Sequence, residues 1–150
     1  MKTKSQIING TIRFYKTHPR SFVKTHLGNK KCASTLCQYT IKYKNEDGSC
    51  GTTHCAVGRY LKSHHKGEDF EENGSSVYDL GANRHGIDYY LVESAQGHEI
   101  DFWGAMQGLH DSCQYWREND KGGQDLTDLG KGAVETICEN FDISIKSIKY

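Results

Sequence analysis

Five side chains between positions 103 and 114 have the types and spacing of a binding surface: Trp103, Gln107, His110, Asp111 and Gln114. At about 3.6 residues per turn they line one side of a helix. An aromatic ring stacks on a planar ligand and amides fix its orientation. The set therefore suits a small planar molecule or a host protein partner. The competing reading is packing, in which Trp103 joins Phe102 and Trp116 in one aromatic cluster and His110 holds a backbone group.

A second chemistry is nucleophilic. Cys55 stands at an expected helix N-terminus after a Gly-containing turn, where the helix dipole favours a thiolate. His110 would be its base, with Asp79, Asp88 or Asp111 as orienter. Side chains of helix neighbours diverge by about 100°, so His110 and Asp111 are not expected to bond each other. No Gly-rich oxyanion loop stands out, and a small buried cysteine in Cys-Ala-Val-Gly is the simpler reading.

The third chemistry is metal binding. Cys32-x4-Cys37 and Cys50-x4-Cys55 have the outline of a two-knuckle zinc pattern, without the usual C-x2-C spacing. If the turn lies at 45–48, Tyr43 faces Cys50 and Cys37 lies about 20 Å from Cys50 along the strand, at ~3.3 Å per residue. That removes the four-cysteine site. A zinc site of Cys32, Cys37, Cys55 and His54 survives the test, as part of a zinc-stabilised interaction module. His64 and His65 with Glu68, Asp69, Glu71 and Glu72 are also ligand types, but adjacent histidines in a charge run read as a solvated loop.

These groups need a scaffold. Phe102, Met106, Leu109, Cys113 and Trp116 recur at steps of four, three, four and three. They predict a core helix of about five turns over 99–117. Thr3 and Gln6 are spaced as a capping box for a first helix with Ile8, Ile12 and Tyr15 inward, closed by His18-Pro19. Over 37–44 the apolar period changes to two, which predicts a strand. A turn at 45–48 and a partner over 49–52 complete one antiparallel hairpin, about residues 36–52. A helix is expected from His54 to Leu61, a long functional or mobile loop over 63–86, and a short helix over 87–95 ended by Gly97. After a Gly-rich turn at 119–125, Thr127 caps a last helix with Gly130, Ala133 or Val134, Ile137 and Phe141 inward. Gly130 and Gly132 weaken that helix by ~1 kcal/mol each, so another element should pack closely there. The tail, 143–150, reads as an edge strand or a frayed end. The expectation is a mainly helical α+β single domain of four to five helices with one hairpin.

The bulk numbers bound the partners. The 150 residues are 35% hydrophobic and 25% charged, enough for one domain that buries roughly 70% of its unfolded surface. Mean hydropathy is −0.75, so the surface is polar and the core lean. Lys+Arg and Asp+Glu both number 19. That balance removes the simplest argument for nucleic-acid binding, although net charge says nothing about local patches. No stretch approaches the ~18 apolar residues of a membrane helix. Met1-Lys2-Thr3-Lys4 has no apolar segment behind it, so a cytoplasmic address is expected, with the six cysteines as thiols or metal ligands.

Three segments carry a resemblance: Cys55-Ala56-Val57-Gly58-Arg59-Tyr60-Leu61, then Leu109-His110-Asp111 with Trp116, then Leu126-Thr127-Asp128-Leu129-Gly130. Their order resembles small uncharacterised bacterial and phage proteins with a Cys-Ala-x-Gly-x-Leu-like helix start, an Asn/His-Asp pair and a Thr-capped last helix. The resemblance spans 50–141 discontinuously and departs in the 63–86 loop and the cysteine-rich hairpin. It implies a mostly helical domain in a mobile-element setting and carries over no catalytic residue. The resulting expectation is a small cytoplasmic accessory protein that acts by binding, with no cofactor or with zinc. A cysteine-dependent hydrolase or transferase using Cys55 and His110 is the alternative.

Overall fold

The computed structural model describes residues 1–20, 38–44, 48–66 and 75–150. Within them lie four α-helices: α1 (Lys4–Tyr15), α2 (Val77–Ala82), α3 (Ile100–Asp111) and α4 (Asp128–Asn140). Two antiparallel hairpins accompany them, β1 (Thr40–Lys44) with β2 (Cys50–His54), and β3 (Trp116–Glu118) with β4 (Gln124–Leu126). The mainly helical α+β class stands, with one hairpin more than expected.

The local rules hold where both halves of a motif are present. The Thr3 side chain accepts from the Gln6 amide at 3.2 Å while the Gln6 side chain accepts from the Thr3 amide at 2.9 Å, the full capping box. Thr127 caps α4 by accepting from the Gly130 amide at 3.1 Å. Gly130 also confirms the expected close approach. A Cβ there would lie 2.2 Å from the Tyr115 carbonyl oxygen, whereas one at Gly132 would meet nothing within 4 Å.

Several expected elements differ. The first hairpin pairs Tyr43 with Gly51 and Lys44 with Cys50, one residue from the expected register, and β2 runs on to His54. In place of a helix over 54–61 there is a single 3-10 turn, Gly58–Tyr60. The reason is tertiary. The Cys55 amide donates to the Tyr39 carbonyl at 3.1 Å, and a Cβ at Gly58 would lie 2.0 Å from that same oxygen. The chain is pressed onto β1 at the point where a helix would have grown. The expected 87–95 helix is two 3-10 turns, Ile87–Tyr89 and Glu93–Ala95, with Leu91 bridged to Leu61 between them. Within the expected 63–86 loop, Ser76 and Asp79 form a capping box that opens α2.

α3 is shorter than the apolar stripe that predicted it over 99–117. It ends at Asp111, and Trp116 turns back so that its indole Nε1 donates to the Leu109 carbonyl at 2.7 Å. Buried Arg20 donates to the carbonyls of His110 and Ser112, and its Nε donates to Gln124 Oε1 at 2.6 Å. The carbonyls that a helix C-terminus leaves unpaired are thus taken up by an indole and a cation. Buried Ile7, Ile8, Ile12 and Tyr15 of α1, Phe102, Trp103, Met106 and Leu109 of α3, and Val134 and Ile137 of α4 share one core.

Candidate functional site

α1 has two faces. One carries the buried isoleucines; the other carries Lys2 just before the helix, then Gln6, Asn9 and Arg13. The polar face forms one wall of a cleft of about 690 Å³, within the roughly 300–1,000 Å³ of small-molecule sites. Arg59 and Tyr60, on the Gly58–Tyr60 turn, form a second wall, and Lys149 of the tail reaches its rim. Asn9 anchors that tail, donating to the Ser147 carbonyl at 2.8 Å and accepting from the Lys149 amide at 2.7 Å. Gly10 lets the walls meet: a Cβ there would lie 3.0 Å from the Tyr60 hydroxyl and 3.8 Å from an Arg59 nitrogen.

The charge in this cleft has one sign. Lys2, Arg13, Arg59 and Lys149 line it, and among the described residues no Asp or Glu does. None of the four pairs with a carboxylate among the described residues. Arg59 is the most enclosed. Its guanidinium carbon lies 4.5 Å from the Phe14 ring centroid and 5.4 Å from that of Tyr60, and its Nη1 donates to Thr11 Oγ1 at 3.4 Å. Burial pulls its pKa below the usual arginine value, but a guanidinium stays charged at neutral pH. More positive charge lies behind it. Lys66 Nζ donates to the Arg59 carbonyl at 3.1 Å, and the Lys66 pKa is lowered by burial first and by Arg59 second. The His54 pKa falls to about 4, through burial first and then the charges of Lys66 and Arg59.

No protein-family model matches the chain, and no similar curated protein or solved structure is found.

None of the five residues proposed from spacing lines this cleft. Trp103 is 0% exposed, and Gln107 and His110 are buried, while Asp111 and Gln114 are exposed. Gln107 Oε1 accepts from the Val77 amide at 2.8 Å and so serves the first turn of α2. His110 Nδ1 and Asp111 Oδ1 lie 2.7 Å apart, a bond that the helix-neighbour argument did not expect. The ~100° separates Cβ directions; Nδ1 and Oδ1 lie two bonds further out, and side-chain rotation closes the gap. Trp103 still touches the new site from beneath, its ring 5.7 Å from that of Tyr60.

Cys55 is 0% exposed, and its Sγ accepts from the Gly58 amide at 3.1 Å. It precedes one 3-10 turn, so the long-helix dipole invoked for it is not there. His54 Nδ1 pairs with Thr40 Oγ1 at 2.9 Å. Cys32 and Cys37 of the zinc proposal lie outside the described residues, as do Glu68, Asp69, Glu71 and Glu72. Among the described residues no group of three or more metal-ligating side chains is placed to hold an ion. Cys113 is disulfide-bonded, which corrects the expectation that all six cysteines are thiols or metal ligands. Cys50, Cys55 and Cys138 are free. No helix among the described residues is long and apolar enough to cross a membrane.

The cleft left a signal in the sequence. Lys2, Gln6, Asn9, Arg13 and Thr17 recur at helical steps, opposite the isoleucines. Such a stripe reads as a solvated face until Arg59 and Lys149 are brought against it.

Proposed function

We propose that this protein is a small binding protein whose ligand is an anion held in the cleft between α1, the Gly58–Tyr60 turn and the C-terminal tail. One observation carries the reading: Arg59 is enclosed by Phe14 and Tyr60, has no carboxylate partner among the described residues, and faces a cleft lined by three further cations. A desolvated cation without a counter-ion is costly, and an incoming anion removes that cost. Clustered charge of one sign also raises the local concentration of the opposite ion. The Gln6 amide nitrogen supplies a neutral donor beside the charges. This reading keeps the binding role expected from the sequence and moves its centre from the α3 residues to α1 and Arg59. The α3 stripe supports it through Trp103 behind Tyr60.

Titration calorimetry with inorganic pyrophosphate at low ionic strength tests the reading. Arg59→Gln should weaken binding about tenfold or more, the scale of one charge-assisted contact. Equal affinity in the variant, or no binding by the parent chain, would contradict it.

A further inference from the structure

The anion reading leaves the chemical class of the ligand open, and the distribution of the cations narrows it. Arg59 approaches from the turn, Arg13 and Lys2 from α1 and its leading residues, and Lys149 from the tail. A carboxylate accepts its strong hydrogen bonds near one plane, whereas the oxygens of a phosphoryl group form a tetrahedron and accept from donors on several sides. Three separate elements bringing donors to one volume match the second geometry. The charge points the same way. Four cations with no acidic residue among the described lining are not neutralised by a single carboxylate. Arg59 adds its planar fork, with Nη1 engaged by Thr11 and the other guanidinium nitrogens left without a protein partner among the described residues.

We infer that the cleft binds a small molecule carrying two or more linked phosphoryl groups, with Arg59 as the inner contact and Lys2, Arg13 and Lys149 around the rest of the charge. This rests on the anion reading and sharpens it. The size of the cleft accommodates a polyphosphate chain with an organic group attached.

The test compares inorganic tripolyphosphate with citrate, a compact polycarboxylate, by calorimetry on the full chain at matched ionic strength. Tripolyphosphate should bind about tenfold or more tighter than citrate. Arg59→Lys, which keeps the charge and removes the fork, should lose most of that preference. Arg13→Glu, an exposed change that leaves the core untouched, should weaken tripolyphosphate in a chain with unaltered melting. Equal affinity for the two anions, both weakened by Arg13→Glu, would overturn the phosphoryl assignment and leave the anion cleft standing. Binding of neither anion, or binding indifferent to Arg59 and Arg13, would overturn both.

Discussion

His54 shows how the cleft's charge acts on a single residue. Its ring is held by Thr40 Oγ1 at 2.9 Å, and burial, then Lys66 and Arg59, lower its pKa to about 4. An unfolded histidine titrates near ~6.5, so between ~6.5 and about 4 the unfolded chain binds the proton first. The stability that this residue contributes is complete above ~6.5 and is lost as pH falls toward about 4. An NMR titration of the His54 ring should give a midpoint near 4, moving up when tripolyphosphate offsets the positive charge of Arg59. A midpoint near ~6.5 would contradict the enclosed, positively charged setting. The residue scale also shows where sequence reading stops. Trp103, Gln107 and His110 were recognisable as the polar and aromatic side of one helix. Their duties depend on neighbours distant in the chain, such as Val77, whose amide Gln107 receives. Periodicity names a face and not what lies against it.

At the scale of elements, the caps were legible and the turns were not. A capping box is written within four residues, so Thr3–Gln6 and the Thr127 start of α4 could be read directly. Ser76–Asp79 has the same form and was hidden by the polar composition around it. The β3–β4 hairpin was masked because Cys113 and Trp116 continue the apolar step of α3 by coincidence. Gly58 and Gly130 mark close approaches between elements, whereas Gly132 does not. Paired substitutions separate the two situations by chemical denaturation. Gly58→Ala should cost about 2–3 kcal/mol, because its methyl meets the Tyr39 carbonyl and the backbone must move. Gly132→Ala, in open space within α4, should gain about 1 kcal/mol from helix propensity. A neutral Gly58→Ala would mean that the turn does not lie against β1 as described.

For the whole molecule, a net charge of zero conceals a local cluster of four cations among the described residues. Lys2 and Arg13 come from the first helix and its leading residues, Arg59 from the turn after β2, and Lys149 from the tail. Their separation along the chain is what made the cleft invisible in composition, and the fold is what joins them. Three described carboxylates serve elsewhere: Glu99 pairs with Lys4 at 2.5 Å, Asp128 with Lys131 at 3.0 Å, and Asp79 caps α2. The measurement that tests the central claim most directly is amide chemical-shift mapping of the ¹⁵N-labelled chain titrated with tripolyphosphate. The account predicts saturable shifts gathered at Gln6, Asn9, Gly10, Arg13, Arg59 and Lys149. Shifts spread over α4 and the β3–β4 hairpin, or none at all, would contradict it.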